Sequence, residues 1–212
     1  MNIHFFTFNA IQENTYILWD DSKECVIVDA GCYDAAEQNE LFDFITHNNL
    51  KPVLMLNTHS HIDHVLGNFA VKKKYQIPFK IHRKDESTLM AVKTYAAMYG
   101  FPQFQEQLPD GYITEGEQIK FGNTVLEILF VPGHAPGHVA FYHAASNACI
   151  AGDVLFAGSV GRADLPGGNF DVLINSIKTQ LYPLGDDCKV YAGHGPATTI
   201  GREKMSNPYL RK

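Results

Sequence analysis

Thr58-His59-Ser60-His61-Ile62-Asp63-His64 is the stretch on which the reading of this 212-residue chain turns. Four of the six residues from 59 to 64 carry side chains that bind metal ions, and they follow directly on the apolar run Val53-Leu54-Met55-Leu56. In extended backbone alternate side chains point the same way, so His59 and His61 can share one ion, while Asp63 and His64 fall where the chain turns into a helix. One short segment can thereby serve two ions. A lone buried histidine is usually a satisfied core residue; four donors in six positions are hard to explain structurally.

A similar local pattern recurs three times. His134 follows Phe130-Val131, Asp153 follows Cys149-Ile150-Ala151, and His194 follows Val190-Tyr191-Ala192, each with a glycine immediately before it. A strand ending in Gly and then a donor predicts a tight turn that lifts the side chain to a sheet edge, where loops on a rigid scaffold carry function. Asp153 would be a costly isolated charge there unless paired or on a metal; a turn or helix-capping aspartate is the alternative. Five imidazoles and two carboxylates exceed the four ligands of a closed tetrahedral zinc site and suit two divalent ions sharing a carboxylate.

Around these donors the periodicity predicts strands at 3–8, 14–19 and 24–29, then a helix from Tyr33 to Asn49 with Leu41, Phe42 and Ile45 at three-to-four spacing. A strand over Pro52–Asn57, a helix from His64 to Gln76 and a helix over Lys84–Tyr99 follow, with an irregular stretch to Gly116. Strands near 117–121, 124–131, 138–144 and 148–151, a helix over Phe170–Leu181 and a strand at 188–192 complete the order. Two stacked sheets with helices outside would satisfy it, as one domain over 1–212. Tyr95, Met98, Tyr99 and Phe101 are read as core, with a pocket wall as the alternative. Lys72, Lys73 and Lys74 read as a solvated helix end.

A net charge of −6 argues against nucleic acid as a partner. No apolar run is long enough to span a membrane, and the first residues lack the pattern of a secretory signal, so a cytoplasmic location is expected. Cys25, Cys32, Cys149 and Cys188 show no paired spacing and are read as reduced thiols.

With its H-x-H-x-D-H run and later His, Asp and His, the chain resembles the metallo-β-lactamase superfamily, and within it the glyoxalase II (hydroxyacylglutathione hydrolase) branch. The branch resemblance is carried by Glu13-Asn14-Thr15-Tyr16, Val28-Asp29-Ala30-Gly31, Pro132-Gly133-His134-Ala135-Pro136-Gly137-His138 and Gly152-Asp153-Val154-Leu155-Phe156. It implies an α/β (α+β) fold, the αββα sandwich of two mixed β-sheets face to face with helices on the outer faces. It also implies that His59, His61 and His134 hold one metal, that Asp63, His64 and His194 hold another, and that Asp153 bridges. Asp29 and His138 would orient the ligands from behind, a structural histidine being the alternative at 138. Arg162, in Gly161-Arg162-Ala163-Asp164, falls where thioester hydrolases of glutathione place a basic substrate contact; a surface pair with Asp164 is the alternative. Only residues 195–212 follow His194, so the helical glutathione-binding domain of the longer enzymes is expected to be absent, as in short single-domain relatives sharing the Gly161–Gly168 loop pattern.

The activity so implied is a thioesterase acting on S-D-lactoylglutathione or a related small-molecule thioester, through a hydroxide held between two ions by Asp63 and Asp153. Zinc is the expected metal, iron and manganese being compatible with the same donors. A persulfide dioxygenase with one iron on His59, His134 and Asp153 is the main competitor, and a non-catalytic metal-binding protein a lesser one.

Overall fold

The computed structural model describes residues 1–211. Strands β1 (Asn2–Phe8), β2 (Glu13–Trp19) and β3 (Glu24–Val28) form an antiparallel meander. Strict alternation sorts their side chains: Tyr16, Leu18, Val26 and Val28 enter one core, and Ile17, Cys25 and Ile27 enter another. Burial on both faces is why these strands read as nearly continuous apolar runs. Strands β4 (Lys51–Leu56), β5 (Phe79–His82) and β6 (Gly111–Ile113) add in parallel, giving a mixed six-stranded sheet in the order β1-β2-β3-β4-β5-β6.

The second half repeats the plan. An antiparallel run of β7 (Gln118–Phe121), β8 (Thr124–Phe130), β9 (Val139–His143) and β10 (Ala148–Gly152) is extended by a small hairpin, β11 (Leu155–Phe156) with β12 (Ser159–Val160), outside the sheet. β13 (Lys189–Ala192) pairs parallel with β10, and β14 (Thr198–Thr199) closes the edge, in the order β14-β13-β10-β9-β8-β7. Tyr16, Leu18, Val28 and Leu56 of the first sheet share one core with Leu126, Ile128, Phe141 and Ile150 of the second, so the sheets stack face to face.

Helices cover the two outer faces. α1 (Ala35–His47) starts where the Asp34 carboxylate accepts from the amides of Ala36 and Glu37, and it buries Leu41 and Ile45 against the first sheet. α2 (Ile62–Val65), α3 (Asn68–Tyr75) and α4 (Glu86–Tyr95) share that core through Val65, Val71, Leu89 and Val92. On the other side α5 (Phe170–Ser176) and α6 (Ile200–Ser206) pack Leu173 and Ile200 against Cys149 and Val190. The architecture is the αββα sandwich.

Several local expectations are corrected. The single helix expected from His64 to Gln76 is two, because Gly67 presses on the 30–32 loop: its amide donates to Ala30 O at 2.7 Å, and a side chain at 67 would collide with Cys32. The helix expected over Lys84–Tyr99 is α4 flanked by 3-10 turns at Arg83–Asp85 and Ala96–Tyr99. β5, β6, β11, β12, β14 and α6 are not among the expected elements. All but α6 are strands of two to four residues, below the length at which a period shows. Lys72 is not simply solvated: its ammonium donates to Ile77 O at 2.9 Å and pairs with Asp110, whose carboxylate also accepts from the Phe79 amide. The four cysteines are free and buried.

Candidate metal centre

Four strand ends meet at one edge of the sandwich. β4 leads through Asn57 and Thr58 into His59 and His61, after which Asp63 and His64 lie in α2; β8 runs out toward His134, β10 toward Asp153, and β13 toward His194. The turns work for different reasons. Gly152 has φ +52, a left-handed conformation that a side chain resists. Gly193 has no such dihedral; a Cβ there would fall onto the Asp153 carboxylate and the His64 ring, so close approach requires the glycine.

Two groups of donors result. In the first, His134 Nε2 lies 3.1 Å from His59 Nε2 and 2.8 Å from His61 Nδ1. In the second, Asp63 Oδ2 lies 3.1 Å from His194 Nε2 and 3.5 Å from His64 Nε2. Asp153 faces both: Oδ2 is 3.6 Å from His134 Nε2 and 3.5 Å from His194 Nε2, and Oδ1 is 3.5 Å from His64 Nε2. Donors on one tetrahedral ion with bonds near 2.0–2.1 Å sit about 3.3 Å apart. These spacings are therefore of the size a bound ion imposes.

The far side of each ring supports the same reading. His134 Nδ1 faces Arg162 O at 2.7 Å and His194 Nδ1 faces Gln12 O at 3.0 Å, so a neutral ring at either position carries its proton on Nδ1 and leaves Nε2 a lone pair. Thr58 Oγ1 donates to Asp29 Oδ2 at 2.6 Å and thus accepts from His59 Nδ1, 3.1 Å away. His64 Nδ1 points at Asp29 Oδ2, 3.1 Å away. Asp29, His59 and His64 also cluster, but Asp29 is committed to the Thr58 amide at 2.7 Å and to the Asn57 amide group at 3.1 Å. His64 Nε2 and Asp153 Oδ1 are buried without a hydrogen-bond partner, as a missing cation would leave them. The donor set fits divalent metal ions.

Charge is arranged accordingly. Burial, then the neighbouring imidazoles, hold His59 well below the ordinary histidine range, and burial brings His61 down to about 3, so both imidazoles are neutral at pH 7. At His64 and His194 burial acts downward but the carboxylates outweigh it, raising His64 well above its ordinary value and His194 to about 10.

A family model described as the metallo-β-lactamase superfamily matches residues 9–194. The chain belongs to the metallo-β-lactamase superfamily. Hydroxyacylglutathione hydrolase GloC of Haemophilus influenzae is 39% identical over 212 residues, covering 99% of this chain and 98% of the relative. Among solved structures, the BLEG-1 B3 metallo-β-lactamase superposes with a TM-score of 0.91 at 33% identity, over 100% of both chains. TTHA1623 in a di-iron-bound form gives 0.87 at 34% identity, over 98% of this chain and 100% of that one. The fold of a metallo-hydrolase superfamily, with these His and Asp clusters, implies divalent metal binding.

Within this superfamily scaffold the other anticipated residues are placed as follows. Asp29 sits behind His64 as just described. His138 is fully buried, stacks on His59 with ring centroids 4.5 Å apart, and has neither nitrogen hydrogen-bonded. Arg162 lines the cavity at the donors, yet its guanidinium pairs with Asp164 through Nε–Oδ1 at 2.7 Å and Nη2–Oδ2 at 2.8 Å. Of the four residues expected as core, Tyr95 and Tyr99 line the cavity, Phe101 is core, and Met98 is exposed.

Sequence reasoning missed three supports. Glu13 is wholly buried, its Oε1 3.8 Å from His64 Nδ1. Asn14 donates from its side chain to Ala192 O at 3.1 Å and Gly195 O at 2.9 Å, gripping the His194 turn. Asp85, also wholly buried, accepts from the Gly137 amide at 3.1 Å. An acidic residue opening the apolar run Glu13–Trp19 was the available signal for the first; Asp85 gave none.

Proposed function

We propose that the protein is a dinuclear metal-dependent thioesterase that hydrolyses S-D-lactoylglutathione or a related thioester. His59, His61 and His134 would hold one ion, Asp63, His64 and His194 the other, with Asp153 between them. The observation carrying this is Asp153, which faces both donor groups at 3.5–3.6 Å, as a bridging carboxylate must. The 39% identity to a relative named a hydroxyacylglutathione hydrolase supports the substrate class.

Two divalent ions, zinc by preference, would supply a water acidic enough to give hydroxide near neutral pH and would polarise the carbonyl under attack. The chain's own part is to hold that centre rigid and to present substrate to it. Asp63 and Asp153 carry the negative charge that keeps two cations together. Asp29 and His138 hold His64 and His59 in place from behind. Asp63, Asp153, His61, His134 and His194 all reach a cavity of about 890 Å³, whose wall includes Arg162. A thioester suits such a centre because a thiol with an ordinary pKa of ~8.5 departs as thiolate with little need of a proton donor.

The test is thiol release from S-D-lactoylglutathione and from the uncharged S-D-lactoyl-N-acetylcysteamine, with protein loaded with zinc, iron or manganese. Turnover lost in Asp153→Ala is expected. No release with any metal, faster opening of a β-lactam, or oxygen consumption with glutathione persulfide instead, would overturn the proposal.

A further inference from the structure

We propose that the cavity beside the metal centre selects thioesters whose thiol part carries no carboxylate, and that Asp164 sets this preference by occupying the guanidinium of Arg162. The inference rests on the thioesterase reading and narrows its substrate class.

Ile11, Ile62, Ala91, Phe156, Leu165 and Pro166 form apolar wall around the roughly 890 Å³ space. Ser87, Thr88, Tyr95 and Tyr99, from α4 and the turn after it, add only neutral polar groups. Among the described residues, Arg162 is the one charged side chain on this wall besides the metal donors. Its planar fork is the natural partner for a substrate carboxylate, binding both oxygens at once. Here that fork already holds both oxygens of Asp164, at 2.7 and 2.8 Å.

Glutathione brings two carboxylates and one ammonium group. A carboxylate that uses the Arg162 fork has to displace Asp164, and among the described residues no second cationic side chain lines the cavity for the other. The Arg162–Asp164 pair is 61% and 69% exposed, so exchange is permitted and the outcome is a preference, not an exclusion. An uncharged amide arm or an apolar thiol meets none of these costs.

S-D-lactoylglutathione and its diethyl ester share acyl group, thioester and peptide, and differ only in masked carboxylates. With metal-loaded protein and thiol release as readout, kcat/KM for the diester should exceed that for the free acid at least fivefold; a smaller ratio, or preference for the acid, overturns the proposal. Asp164→Asn frees the fork and should narrow the ratio at least threefold, through KM for the acid and not through kcat. An unchanged ratio removes Asp164 from the account. If neither compound releases thiol, the thioesterase reading falls, and calorimetric titration with inert S-hexylglutathione and its diethyl ester decides the pocket separately: at least fivefold tighter binding of the diester upholds the assignment, and anything less overturns it.

Discussion

Asp29 accepts hydrogen bonds from the Thr58 amide at 2.7 Å, the Thr58 hydroxyl at 2.6 Å and the Asn57 side chain at 3.1 Å, while facing His64 Nδ1. Replacing it by Asn puts an NH2 where an acceptor is needed. Such support residues typically hold 10–100-fold in metal affinity. Asp29→Asn should weaken metal binding by roughly that factor in chelator competition, with far-ultraviolet circular dichroism unchanged. The residues that announce themselves in sequence are those whose chemistry is local: His59, His61, Asp63 and His64 crowd one segment, and His134, Asp153 and His194 each follow a strand and a glycine. Glu13 and Asp85 act through partners about fifty residues away, as in Glu13–His64 and Asp85–Gly137, and such pairings leave no local pattern.

At the scale of elements, the start of β2 clamps the turn after β13. The Asn14 amide donates to Gly193 O at 2.7 Å, the Asn14 side chain holds the carbonyls of Ala192 and Gly195, and the Tyr16 hydroxyl donates to Ala192 O at 2.6 Å. Within this clamp Gly193 has no room for a Cβ. Gly193→Ala should lose about 1–3 kcal/mol of stability by overpacking, read as a fall in Tm, and should lower the metal-to-protein ratio in elemental analysis. An unaltered ratio would show that the turn relaxes freely. Long elements such as α1 and β8 were legible because their periods run for several repeats. β6, with three residues, takes its identity from pairing with β5, and the break at Gly67 comes from contact with the 30–32 loop. Both are consequences of tertiary structure.

Across the whole molecule, the two sheets are tied at one edge by Asp20, in the turn after β2. Its carboxylate accepts from the Ser22 amide at 2.9 Å and, across the sandwich, from the Asn123 amide at 2.6 Å and the Thr124 hydroxyl at 2.9 Å. Burial acts to raise its pKa, but these bonds outweigh it and bring the group from 3.8 down to about 2. A depressed folded-state value means the contribution is complete above the ordinary carboxylate range and is lost as pH falls toward 2. Asp20→Asn should therefore lower Tm at pH 7, and the gap to the unsubstituted protein should close between pH 4 and pH 2. Metal works on the same scale: a ligand at a hundredfold excess over its Kd stabilises by about 2.7 kcal/mol, so chelation should lower Tm and resupply restore it. The Asp153 and Asp63 carboxylates raise His194 to about 10, so if it is a ligand as proposed, metal uptake near pH 7 should expel protons. Calorimetry in two buffers of different ionisation heat measures them. Finally, the bridge between Glu13 and His194 closes the donor set with residues 181 positions apart. During synthesis the nascent chain has exposed the His59–His64 segment long before His194 leaves the ribosome, so the complete centre cannot template early folding. Binding of an ion by the full proposed donor set would then be a late event, and an ion captured by the half-made chain would have only part of that set to hold it.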